Sequence, residues 1–244
     1  MKDIGLGKRL GVLWRSLWIQ ASWSFKGMQT VGLVHTVGPA LDAVGEKRCE
    51  RLLRHVDFFN SHPFFAPMVA GALIRAENRG GEEAANAPSD RALLMGPLGG
   101  MGDMLFWGSV KPLAVVASLI LLAEGYVWAP LAFVAFFVAV NLFTRVVSLE
   151  LGLRRGRAAI MEIQRMKPVL TARAMKLATA FLLGWLLWRL SASWAPSLGL
   201  KPEAAAAGAV VLAIMTAWAA RREVDPLWII YFAAFAAVGI GYLK

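Results

Sequence analysis

The back half of the chain is written in apolar runs of bilayer length, and this limits its solvent more than any other feature. From Val110 onward, apolar stretches fall at about 110–123, 126–144, 177–194, 204–220 and 226–243. About 20 apolar residues in a helix cross a hydrocarbon layer about 30 Å thick. A helix is also the element that pairs its own backbone groups where no water can. The first stretch is short and reads as half of a hairpin turning at Glu124-Gly125. Composition agrees: 58% of residues are hydrophobic and 17% charged, and mean hydropathy is +0.56. A soluble domain sits nearer half apolar and a quarter charged.

The net charge of +10 would point to nucleic acid in a soluble protein, but no basic stretch carries a nucleic-acid reading motif. Instead the cations gather between apolar segments. From Arg154 to Lys176, Arg154, Arg155, Arg157, Arg165, Lys167, Arg173 and Lys176 face the single acid Glu162, and residues 145–176 are expected to be a cytoplasmic loop. Arg221-Arg222 is a second inside marker. Five spans then leave the N-terminus in the cytoplasm and the C-terminus outside, with Lys201 and Lys244 as mild violations. The single cysteine, Cys49, allows neither an intramolecular disulfide nor a cysteine metal site, and is expected to be a small buried apolar residue. No cleavable signal pattern follows the charged N-terminus.

Residues 1–109 contain no uninterrupted run of spanning length. Leu6, Leu10, Leu13, Trp14, Leu17 and Trp18 recur at helical spacing opposite Lys8, Arg9 and Arg15, which predicts a basic amphipathic helix over 6–18 suited to the inner leaflet plane. The polar stretch 76–92 reads as a loop outside the membrane. Residues 94–113, apolar but rich in Gly and Pro, read as broken or re-entrant helix, tolerated only against protein or a polar cavity. The expected fold is therefore an all-α integral membrane protein. It has amphipathic N-terminal helices, broken or re-entrant helices and about five transmembrane segments. The whole forms one domain over 1–244, with 1–109 carrying the motifs and 110–244 the spans.

Two constellations could carry chemistry. Phe58-Phe59-Asn60-Ser61-His62-Pro63-Phe64-Phe65 sets amide, hydroxyl and imidazole groups beside four aromatic rings, the mixture that holds sugars by polar pairing and ring stacking. It equally describes a helix start, with Asn60 or Ser61 as cap and Pro63 in the first turn. Gly96, Gly99, Gly100 and Gly102 lack the strand and lysine of a phosphate loop, so close helix packing explains them better. Asp103 follows them as an acid among apolar neighbours, fit for a translocation site or a helix cap. Gln20 and Gln29 add amides beside Trp18 and Trp23. A metal on His55, Asp57 and His62 is a weak reading, and no catalytic set or cofactor site is evident.

Gln20-Ala-Ser-Trp-Ser-Phe-Lys-Gly-Met-Gln29, Arg54-His-Val-Asp-Phe-Phe-Asn-Ser-His-Pro63, Leu94-Met-Gly-Pro-Leu-Gly-Gly-Met-Gly-Asp103 and Leu105-Phe-Trp-Gly-Ser-Val-Lys-Pro112 together resemble the IID component of the mannose/fructose/sorbose family of the phosphoenolpyruvate-dependent sugar phosphotransferase system. The resemblance covers the first 113 residues well and the rest in hydropathy. The family commonly reads Asn-Tyr-Glu-Arg where this chain has Ser24-Phe-Lys-Gly27, and the chain is short toward its C-terminus. The resemblance implies a non-catalytic subunit that pairs with a IIC membrane subunit in IIC–IID trimers. Cytoplasmic IIA and IIB components phosphorylate the hexose as it enters. Asn60, His62 and Asp103, together with Gln20 and Gln29, are then expected either close to the sugar path or at the IIC interface. The substitutions at 24–27 allow a second reading, a IID-like sensor or scaffold. A membrane enzyme using His62 and Asp103 is a third.

Overall fold

A computed structural model describes residues 4–43 and 45–196, with isolated positions between 199 and 214. By packing, the chain divides into Met1–Ala180 and Phe181–Lys244. The first unit carries every candidate site residue.

The described chain is all-α, and its only β pairing is the isolated bridges Ser24–Met28 and Met28–Phe59. Helices α1 (Leu6–Leu17), α2 (Thr30–Val37) and α3 (Gly45–Leu53) precede α4 (Ala66–Arg79) and α5 (Gly81–Gly102). A π-helical segment, Asp103–Val110, leads into α6 (Lys111–Ala123); then come α7 (Ala129–Arg155), α8 (Ala159–Arg165) and α9 (Pro168–Trp194). Three helical runs are long and apolar enough to cross a membrane: Gly81–Ala123, Ala129–Arg165 and Pro168–Ser191. Their apolar side chains point outward, as with Leu131 at 72% and Phe143 at 71% exposure. Water would not tolerate so much exposed apolar surface; lipid does. The stretches expected at 204–220 and 226–243 lie largely outside the described residues.

α4 is the hub. Its residues from Ala66 to Ile74 are all buried, and it crosses α7 where Gly71 meets Gly152. A Cβ on Gly71 would lie 2.7 Å from the Leu149 carbonyl oxygen, and one on Gly152 would overlap the Met68 carbonyl. The two backbones touch, the close approach that small residues permit between membrane helices. α6 and α7 form the hairpin expected from sequence, turning through Gly125 at φ 91°.

Several expectations are corrected. Residues 76–92 are not a loop. α4 ends at Gly80, the turn uses positive φ at Gly80 and Gly81, and α5 begins at once. Glu82 and Glu83 in its first turn favour the positive end of the helix dipole. The irregularity expected at 94–113 takes the form of a wide turn inside one helical run. Pro112, without an N–H, cannot bond the Gly108 carbonyl four residues back. The i→i+5 pattern absorbs the misfit, and the Ser109 hydroxyl donates to the Met104 carbonyl at 2.8 Å. Cys49 is exposed rather than buried, because α3 buries none of its residues.

Candidate functional site

The second motif becomes an extended loop over 56–65 that leads into α4. Its first support is the 20–29 motif. The Gln29 amide donates to the Phe59 carbonyl at 2.8 Å, and the Ser61 amide donates to Gln29 Oε1 at 3.3 Å. The Thr30 hydroxyl contacts the carbonyls of Gly27 and Asp57 at 2.5 and 2.6 Å. The Phe59 amide donates to the Gly27 carbonyl at 3.4 Å. Gln29 and Thr30 are buried under this contact. The turn at 24–27, where the sequence departs from the family pattern, is solvent-facing, with Phe25 at 88% exposure. Gly27 holds the loop through its backbone carbonyl, and the Ser24 hydroxyl accepts the Gly27 amide at 3.3 Å, so the exposed side chains at 25 and 26 are the ones that can vary without moving it.

The second support is the far end of α5. Gly102 faces the His62 side chain so closely that a Cβ there would overlap His62 Cβ and Cγ. Gly99 faces the Ser61 Cα. Gly96 and Gly100 meet nothing within 4 Å, and a Cβ on Gly99 would make only an ordinary contact at 3.7 Å, so close packing requires glycine at one of the four positions, Gly102. The His62 ring stacks on Phe106 at 5.0 Å and stands edge-on to Phe64 at 4.8 Å, with Trp107 at 5.3 Å. Its Nδ1 accepts the Phe64 amide at 3.2 Å. A ring that accepts at Nδ1 holds its proton at Nε2. That donor is buried with no partner, as is the Ser61 hydroxyl.

Asn60 and Asp103 flank this pair and are exposed. Neither Asn60 nor Ser61 caps α4, whose N-cap is Phe65 with no side-chain bond. The amides of Phe65 and Ala66 donate instead to the His62 carbonyl. Asp103 does not cap a helix either, since the helical run passes through it. Gln20 sits in an exposed turn after α1. The structure thus joins Gln29, Asn60, His62 and Asp103 through one loop and one helix, and no described bond ties Gln20 to them.

The possible metal set is dispersed. His55 Nε2 bonds Glu77 Oε1 at 3.0 Å, Asp57 pairs with Arg91 at 3.0 Å, and His62 is held by rings. Among the described residues no group of three potential ligands forms.

Arg145 belongs to the site, although in the sequence it is only the first cation of the basic stretch 145–176. It is 4% exposed, and its guanidinium lies 5.7 Å from the centre of the Phe64 ring. It donates to Asn141 Oδ1 at 2.7 Å and to the Ser16 carbonyl at 2.6 Å. A cation in an apolar run needs such partners, and it locks α7 to the carboxyl end of α1. The apolar face of α1 is turned outward, with Leu6, Leu10, Trp14 and Trp18 all at least 55% exposed.

Comparison with known proteins places this geometry in context. The model of the PTS system mannose/fructose/sorbose family IID component matches residues 6–193. The mannose-specific EIID component of Escherichia coli (strain K12) is 34% identical over 158 residues, 60% of this chain and 54% of that protein. The sorbose-specific EIID component of Klebsiella pneumoniae is 31% identical over 162 residues, 64% and 59% of the two chains. The fructose permease IID component of Bacillus subtilis (strain 168) is 29% identical over 156 residues, 61% and 57%. The chain spans about half the length of the curated relatives it matches. Among solved structures, a chain of the mannose transporter ManYZ in complex with microcin E492 superposes with TM-score 0.58 at 26% identity, over 99% of this chain and 97% of that one. A second, described as a membrane protein, gives TM-score 0.75 at 24% identity over 98% and 97%, a likeness of fold.

Proposed function

The chain belongs to the mannose/fructose/sorbose family of phosphotransferase-system IID components, and from that premise we propose that it is the IID subunit of a sugar permease. With a IIC membrane subunit it forms the translocation unit, assembled as a trimer of IIC–IID pairs. Cytoplasmic IIA and IIB components supply the phosphate. The chain itself carries no phosphoryl-accepting residue and contributes binding and movement. Its N-terminus is cytoplasmic, and α1 lies in the inner leaflet with its outward apolar face in lipid. All 244 residues act as one functional domain.

The observation that carries this reading is the pair of buried, unpartnered polar groups in the aromatic cluster, His62 Nε2 and Ser61 Oγ. Buried donors and hydroxyls are almost always satisfied. A hexose supplies both the acceptor oxygens they lack and C–H faces for Phe64 and Trp107. Asn60 and Asp103 stand at the rim to receive further hydroxyls, with Gln29 holding the loop and Gln20 nearer the subunit interface. The loop and the π segment move together against α7, and the IIC subunit closes the open side.

Asn60→Ala tests the assignment. Expressed with its IIC, IIA and IIB partners, this variant loses phosphoenolpyruvate-dependent uptake of the cognate hexose while still co-purifying with IIC. Wild-type uptake by the variant removes Asn60 from the sugar path.

A further inference from the structure

A polar cavity lies away from the aromatic cluster, and the reading above does not use it. It is a cleft of about 580 Å³ between α3, the end of α4 and the start of α5, lined by Arg51, Arg54, Glu77, Gly80, Ala84 and Pro88 among others. That volume falls in the range of small-molecule sites.

Glu77 is the unusual residue. Its carboxylate is fully buried. Oε1 bonds His55, but Oε2 has no hydrogen bond and lies 3.7 Å from Arg54 Nη1. A buried carboxylate oxygen without a donor is costly. Ala84 and Pro88 line the same wall. Pro88 lies inside α5 and has no N–H, so the Ala84 carbonyl loses its helical partner. The cations are the complement. Arg51 donates to the Glu77 carbonyl at 2.9 Å. Arg54 is 40% exposed and holds Glu50, itself 69% exposed, in a surface pair that is easily exchanged.

The cleft therefore offers acceptors on its wall and guanidinium groups at its mouth. A ligand that fits carries hydroxyl donors at one end and an anion at the other. The cleft also lies at the basic end of the molecule: Arg75 donates to the Arg154 carbonyl at 2.6 Å, and Arg157 pairs with Asp90 at 3.7 Å. The positive-inside rule assigns that end to the cytoplasm, where a phosphorylated sugar is released.

We infer that this cleft is a binding site for a hexose phosphate, with the hydroxyls on Glu77 and Ala84 and the phosphate on Arg51 and Arg54. The inference rests on the permease reading for the identity of the ligand.

Calorimetric titration of the full chain in detergent tests it, with mannose 6-phosphate as probe and mannose, inorganic phosphate and glutamate as comparisons. Mannose 6-phosphate binds more tightly than either half-ligand. Arg54→Gln weakens it about tenfold, the size of one charge-assisted bond. Pro88→Ala restores the helical bond to Ala84 and removes one acceptor, weakening binding about threefold without loss of thermal stability. Absence of binding by wild type, equal binding of inorganic phosphate alone, preference for glutamate, or full affinity in both variants overturns the assignment. Phosphoenolpyruvate-dependent uptake, measured in parallel, separates the two claims. Uptake without hexose phosphate binding removes the cleft and leaves the permease reading standing. Loss of uptake dependence on this chain removes the permease reading itself.

Discussion

Replacing Gly102 by alanine adds one methyl group where the 56–65 loop rests on α5. The new Cβ would overlap His62 Cβ and Cγ and stand 2.9 Å from Cδ2. His62 Cβ is fixed to the backbone, so a change of rotamer does not clear the contact. Carbon atoms settle about 3.5–4.0 Å apart, so the loop must lift by roughly 1.5 Å. That breaks the stack on Phe106 and strains the Ser61–Gln29 bond. Overpacking of this kind costs about 1–3 kcal/mol and the lost aromatic contact about 1 kcal/mol. Better helix propensity returns about 1 kcal/mol. The expected net loss is about 1–3 kcal/mol, together with a fall in hexose uptake. Gly100→Ala is the control: nothing lies within 4 Å of its Cβ, so it should be neutral or stabilising by up to about 1 kcal/mol. Denaturant unfolding in detergent, followed by tryptophan fluorescence, reads both variants. Equal stability of the two would refute the packing of His62 on the helix.

Gly152→Ala forces the α4 and α7 backbones apart at Met68 and Ala72 and is expected to lower stability by about 3 kcal/mol; a wild-type thermal midpoint would contradict that crossing. His55→Ala leaves the buried Glu77 carboxylate without its hydrogen bond, and a loss of about 3 kcal/mol is expected in the same unfolding assay. A loss below 1 kcal/mol would mean that the pair carries no weight. Arg145→Lys cannot hold both Asn141 and Ser16. Amide exchange in Leu6–Leu17 should accelerate about tenfold, the loss of one charged hydrogen bond, and unchanged exchange would show that α1 is anchored elsewhere.

Much of the architecture was legible where a periodic or apolar pattern decides structure. The amphipathic spacing gave α1 nearly to its boundaries, and the bilayer-length runs gave α6 and the middles of α7 and α9 with the turn at Gly125, but the loop expected at 145–176 is mostly helix, divided among the end of α7, α8 and the start of α9. Where composition and conformation part company, the reading failed. Residues 76–92 are polar and hold Pro88, yet only Gly80 and Gly81 turn the chain. Alanine-rich spacing and an acidic first turn carry the helix past the proline. The site motifs were visible as strings, but their mutual arrangement was not. Gln29 holds Phe59 and Ser61 from about 30 residues away, through one backbone bond and one bond to its side-chain oxygen, and nothing in the string announces that pairing. Arg145 carried no sequence signal of its own because its partners, Ser16 and Asn141, are uncharged. The His55–Glu77 pair and the cleft beside it arise only when α3 is laid against α4.

Reconstitution into vesicles asks the central question directly. Liposomes holding the IIC partner, with IIA, IIB and the phosphate-relay proteins on the cytoplasmic side, are supplied with labelled hexose with and without this chain. The account predicts that sugar phosphate accumulates only when the chain is present, and that Asn60→Ala abolishes it. Equal accumulation without the chain would contradict its place in the translocation unit.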